Sequence, residues 1–193
     1  PIEAMKILKN VSTHCYMLES VVEKEKWGRY TFLGFNPKME ITCMDGEIRA
    51  GDIKLKVDHP SDYLRKILEE YKSPRFDYLP SFTGGLVGYF SYEYLGYSEP
   101  TVKSKVDDSE EFKDVDLMLF DKVIAFDNFR QMIILIVNIS LDNLESSYNN
   151  GILELEQLCE LLKSGDKKDE PAGHLTSEVK PLFDKESYCK MVE

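Results

Sequence analysis

No segment of this chain stays apolar for the ~18 residues that a membrane-crossing helix needs, so nothing in it reads as a span. Basic residues are in the minority. Lys and Arg number 24 against 35 Asp and Glu, and the formal charge of −11 repels a phosphate backbone. They are scattered, which also excludes the basic cluster of a nucleic-acid reader or a membrane-surface binder. Cysteine is scarce: Cys15, Cys43, Cys159 and Cys189 form no C-x-x-C pair and no zinc frame with a histidine. They read as reduced thiols of a cytoplasmic protein, because disulfides are rare in that compartment. The three histidines, His14, His59 and His174, lie far apart and none sits in an H-E-x-x-H frame. A G-x-S-x-G elbow is absent, and 35 carboxylates are too many to nominate an acid–base pair without geometry. The chain opens at Pro1 rather than Met, so the lack of a leader says little about the natural N-terminus.

What remains is an ordinary globular composition, 42% apolar and 31% charged, over 193 residues. That is enough for one domain with a sizeable core. Residues 14–21 and 29–36 read as strands, and Met39–Met44 alternates apolar and polar up to a hairpin turn at Asp45-Gly46. Glu47–Ala50 and Ile53–Val57 bracket another turn, so the first 60 residues read as an antiparallel meander. Pro60-Ser61-Asp62 opens a helix with Tyr63, Leu64, Ile67, Leu68 and Tyr71 on one face. Residues 98–114 are polar, and their acidic run Asp107–Glu111 reads as a solvated loop rather than a metal site. Asp116–Phe126 and Gln131–Ile139 read as two long strands joined at Asp127–Arg130. The nearly all-apolar Met132–Val137 is expected to be a central strand buried on both faces. Helical spacing runs through roughly 142–163, with Gly151 inside it, and residues 164–177 read as a linker. Asp184 can cap a further helix from Lys185, which is cut off at Glu193.

Two stretches carry candidate chemistry. Met17-Leu18-Glu19-Ser20 ends an apolar run with a carboxylate and a hydroxyl side by side, and Arg29–Pro37 follows as a strand. Glu19 could hold an ammonium, Ser20 a polar edge, and apolar neighbours a side chain. The same residues also suit a plain strand end with a solvated Glu and a turn-forming Ser. Gly84-Gly85-Leu86-Val87-Gly88 lacks the lysine of a P-loop and the spacing of a dinucleotide fingerprint. Its glycines point instead to a bulge or close backbone packing.

In order along the chain, Pro1-Ile2, Met17-Leu18-Glu19-Ser20-Val21, Trp27-Gly28-Arg29-Tyr30-Thr31-Phe32-Leu33-Gly34 and Phe82-Thr83-Gly84-Gly85-Leu86-Val87-Gly88-Tyr89-Phe90-Ser91-Tyr92-Glu93 resemble the N-terminal domain of the anthranilate synthase component I family. Phe183 to Glu193 looks like the opening of that family's chorismate-binding domain. The resemblance implies an α+β fold, an antiparallel sheet meander with outer helices, forming half of a larger sandwich-like synthase with an apolar surface where the other half would sit. It implies a regulatory domain over 1–163, a linker over 164–180 and the start of the chorismate-binding domain over 181–193. The parent enzyme would convert chorismate and ammonia to anthranilate and pyruvate with Mg²⁺, in tryptophan biosynthesis. A partner glutamine amidotransferase, component II, would supply the ammonia. The family's chorismate and Mg²⁺ residues lie in the absent domain, so no catalytic residue is carried over and the chain alone is expected to be inactive.

By the same resemblance the feedback inhibitor L-tryptophan would meet Leu18, Glu19 and Ser20, with Ser20 first. A lysine that joins this site in several relatives has Lys26, Arg29 or Tyr30 as its counterpart here. Two other readings stay open. One is the folate-branch relative, aminodeoxychorismate synthase component I, which often replaces the Glu of the Leu-Glu-Ser run. The other is a non-catalytic amino-acid sensor or interaction module, which would require the gene to stop near Glu193.

Overall fold

The computed structural model describes residues 1–20, 28–99, 101–102, 111–167 and 171–193. Val21, Lys26, Trp27, Lys168 and Asp107–Glu110 of the acidic run therefore lie outside the described residues. The residues ahead of the first expected strand form helix α1 (Ile2–Val11), which buries Ala4, Ile7 and Leu8 at helical spacing. Among the described residues nine strands follow: β1 (Cys15–Leu18), β2 (Tyr30–Phe35), β3 (Met39–Met44), β4 (Glu47–Ala50), β5 (Ile53–Lys56), β6 (Gly85–Phe90), β7 (Val115–Phe120), β8 (Lys122–Asp127) and β9 (Met132–Val137). Helix α2 (Pro60–Glu70) and the short α3 (Leu95–Ser98) lie among them, and α4 (Leu144–Ser164) and α5 (Lys185–Val192) close the chain.

The expected α+β class is what the chain adopts, with every strand pair antiparallel. The strands divide into two sheets, ordered β1-β2-β8-β9 and β5-β4-β3-β7-β6. The meander expected over the first 60 residues is thus split, because the chain changes sheet between β2 and β3. The single strand expected over Asp116–Phe126 is likewise broken at Asp121, where β7 leaves one sheet and β8 enters the other. Only the polar pair Asp121-Lys122 marks this corner, because the apolar residues on both sides of it are buried: Leu119 and Phe120 before, Val123 and Ile124 after. The two breaks coincide. From the Leu33–Ile124 pair to the Met39–Leu119 pair, one strand advances six residues and the other five. That extra residue bends a single long ribbon into two sheets, as a bulge does. Lys38 N–H donates to Leu119 O at 2.7 Å across the bend.

Strand β9 is an edge strand, not a central one, and Met132 and Ile133 are about half exposed. A continuous apolar run reports that faces are covered, not that both edges are paired. Here Leu135 packs into the core under α1 and α4, and Ile136 is buried.

Each sheet has its own core. Ile41, Cys43, Ile48, Val115, Leu117 and Leu119 pack with Leu64 and Ile67 of α2. Leu33 and Ile124 pack with Ala4 and Leu8 of α1 and Leu158 of α4. The sheets meet through aromatics: Tyr16 sits edge-on to Phe120 with centroids 4.7 Å apart, and Phe32 edge-on to Phe82 at 5.6 Å. Tyr16 lies directly over its cross-strand partner Gly34, whose bare backbone admits the ring.

Local signals hold at several ends. Asp45 and Gly46 both take positive φ, 49° and 75°, in the β3–β4 hairpin. The Tyr97 hydroxyl fastens that turn, accepting from Gly46 N at 2.7 Å and donating to Asp114 at 2.6 Å. Burial first, then its hydrogen bond to the Asp114 carboxylate, pushes the Tyr97 pKa far up. Asp184 caps α5, accepting from Ser187 N at 2.7 Å. Helix α4 runs unbroken through Gly151, where the Ile139 side chain lies too close for a Cβ.

Candidate functional site

Strand β1 ends at Leu18, which pairs with Phe32 of β2. Pairing places Leu18 and Phe32 on one face of the sheet, with the Tyr30 ring 5.7 Å from that of Phe32. Glu19, one residue on, turns to the opposite side, where the Thr31 hydroxyl donates to its Oε1 at 3.5 Å. The structure therefore does not set Leu18 and Glu19 on one wall; a ligand touching both would have to cap the strand end. Leu18, Glu19 and Ser20 are all exposed.

Beneath this exposed end is a built polar network. Thr31 is fully buried and accepts from Asn128 Nδ2 at 3.1 Å. Asn128 belongs to the β8–β9 turn, and its backbone N–H donates to Arg29 O at 2.8 Å. Asp127, 1% exposed, accepts from Arg29 Nη2 at 2.6 Å, from Arg29 Nε, and from the backbone N–H of Phe129 and Arg130 at 3.1 and 3.0 Å. The Arg29 hydrogen bond, outweighing desolvation, lowers the Asp127 pKa to about 2. The same bond raises the Arg29 pKa. The guanidinium lies 4.8 Å from the Tyr30 ring centroid and 5.9 Å from that of Phe129. Of the three expected counterparts of the relatives' lysine, Arg29 is thus committed to Asp127, Tyr30 stands beside it, and Lys26 is not described.

The sequence reading missed Thr31 and Asn128, and it read Asp127 as a turn residue only. Asp-Asn in a hairpin connection is the available signal, but only the β2–β8 pairing brings that turn to Thr31.

Two concavities lie elsewhere. One, of about 320 Å³, is walled by His14, Cys15 and Tyr16 on one side and Gly88, Asp116 and Phe120 on the other. The other, of about 440 Å³, lies over the β3–β4 hairpin between Glu47, Arg49, Lys56 and Lys113. Leu18, Glu19 and Ser20 line neither. Gly84 lies just ahead of edge strand β6 and Gly85 and Gly88 lie within it, where Gly88 passes hard against the β7 backbone. Among the described residues no three His, Cys, Asp or Glu side chains converge to hold a metal ion, and no helix is long and apolar enough to cross a membrane.

The family model described as chorismate binding enzyme matches residues 13–193. This chain belongs to the chorismate binding enzyme family. Among similar family members, anthranilate synthase component 1 of Acinetobacter calcoaceticus is 31% identical over 205 residues, covering 100% of this chain and 40% of that protein. The Pseudomonas aeruginosa protein of the same name is 32% identical over 154 residues, covering 77% of this chain and 31% of that one. The chain thus spans at most two fifths of the length of these curated relatives. In fold it is similar to the crystal structure of anthranilate synthase component I from Streptococcus pneumoniae TIGR4, with a TM-score of 0.64 and 22% identity over 94% of this chain and 39% of that one.

Proposed function

We propose that this chain is the N-terminal, effector-binding part of an anthranilate synthase component I. Its alignment over its whole length with one protein of that name, and over 77% with another, is the observation that carries the reading. In this reading residues 1–163 form the regulatory domain, 164–180 the linker, and 181–193 the first turns of the chorismate-binding domain. The whole protein converts chorismate and ammonia to anthranilate and pyruvate in the cytoplasm, and component II delivers the ammonia from glutamine. The Mg²⁺ that this reaction uses is held by residues outside this chain, as is the chorismate. Purified alone, the 193-residue chain is expected to form no anthranilate from chorismate, Mg²⁺ and ammonium; fluorescence of the product checks this.

L-Tryptophan is the effector in this reading. Glu19 offers a carboxylate to its ammonium, Ser20 a hydroxyl to a polar edge, and Leu18 with the Tyr30–Phe32 pair an apolar wall for the indole. Binding at an exposed strand end inhibits by favouring one arrangement of the whole enzyme over another. The decisive assay is anthranilate formation by the full-length gene product with chorismate, Mg²⁺ and ammonium, across a tryptophan titration. Half-inhibition is expected at about tenfold higher tryptophan in Ser20→Ala, the loss of about one hydrogen bond. Chorismate consumption without anthranilate would point to the folate-branch enzyme. No turnover at all would point to a sensor or interaction module.

A further inference from the structure

We propose that Thr31 and Asn128 are positioning residues for the effector, forming a hydrogen-bond relay from the β8–β9 turn that holds one oxygen of the Glu19 carboxylate and leaves the other for a ligand ammonium. The inference rests on the reading of Leu18–Ser20 as the effector segment and adds what orients it.

A glutamate at an exposed strand end has three rotatable bonds, and ordering them on binding weakens the complex unless they are ordered beforehand. The Thr31 hydroxyl, 3.5 Å from Glu19 Oε1, is placed to order that carboxylate through a long hydrogen bond. Thr31 is the stiffest available donor, because it is β-branched, lies within β2 and is fully buried. A buried hydroxyl must be satisfied. Asn128 Nδ2 donates to the Thr31 oxygen at 3.1 Å, so the hydroxyl's own hydrogen is directed at Glu19.

Asn128 is itself fixed. Its N–H is bound to Arg29 O, and the preceding Asp127 gathers the next two backbone N–H groups and the Arg29 side chain. The order of dependence therefore runs from the buried Asp127 through Asn128 and Thr31 to the exposed Glu19. Because Glu19 is solvated, its bond to Thr31 contributes little to folding; its consequence is the direction of the carboxylate.

The test is calorimetric titration of L-tryptophan into the full-length gene product. Thr31→Val, which keeps the shape and removes the hydroxyl, is expected to weaken binding about tenfold, and Thr31→Ser, which keeps the hydroxyl, less than about twofold. In a Glu19→Ala background Thr31→Val is expected to make no further difference, since it acts only through Glu19. If Thr31→Val does not fold, Asn128→Ala in the half-buried turn replaces it, with a weakening of about three- to fivefold that again vanishes without Glu19. Wild-type affinity in these variants, or equal losses with and without Glu19, overturns the relay alone. A wild type that binds no tryptophan overturns the effector reading, and the relay with it.

Discussion

Replacing Asp127 with alanine is expected to destabilise the protein by about 3 kcal/mol, seen as a lower urea midpoint at unchanged slope. The carboxylate is 1% exposed and is the common acceptor for Arg29, Phe129 N–H and Arg130 N–H. Its removal leaves a guanidinium without its counter-charge and two turn N–H groups without an acceptor. The guanidinium is 26% exposed and can partly rehydrate, which keeps the loss at the lower end for a broken buried pair. The pH dependence has a definite sign. The Asp127 pKa is about 2 in the folded protein, below its ordinary value of 3.8. The unfolded chain therefore binds the proton more readily, and this contribution, complete above pH ~4, is lost as pH falls toward 2. An acid titration should show a shallower decline in the variant. A loss under about 1 kcal/mol would mean that the turn is organised by something else.

Gly88→Ala is expected to cost about 3 kcal/mol or more, with most of the protein insoluble. Gly88 lies at φ +156° opposite Leu117, and a Cβ there would overlap the Asp116 carbonyl oxygen and come within 2.8 Å of Leu117 Cα. Both are backbone atoms of a paired strand, so no rotamer change relieves the overlap. Gly51→Ala is the control, since its φ is also positive, +55°, but nothing lies within 4 Å. It should cost only about 1 kcal/mol. Equal soluble yields of the two variants would show that β6 can separate from β7 without penalty.

Much of the fold is legible locally. Alternation marks Met39–Met44, the Asp-Gly pair marks its hairpin, proline and a single apolar face mark α2, and Asp184 marks the start of α5. Each of these depends on residues within one turn or hairpin. The features that escaped depend on distant pairing. The corner at Asp121 lies within residues that all look like strand, and the edge position of β9 depends on which strands fill the other side. Helix α1 is short, and its apolar stripe has meaning only against Leu33 and Ile124. The site divides in the same way. Glu19 and Ser20 stand out as polar residues closing an apolar run, whereas Thr31 reads as one more β-branched strand residue until Asn128, 97 positions later, is seen to hold it.

The bent ribbon at the centre of both sheets also sets a timetable. Cys43 waits for Val115, and Tyr30 for Asp127. At a synthesis rate of about 5–20 residues per second, roughly 4–20 s separate the arrival of these partners. The β3–β4–β5 hairpins and α2 can assemble in that interval because their contacts are local. Strand β2 finds β1 in that interval but not β8, so one edge of its YTFLGF segment stays unpaired on the nascent chain until residues 122–127 emerge.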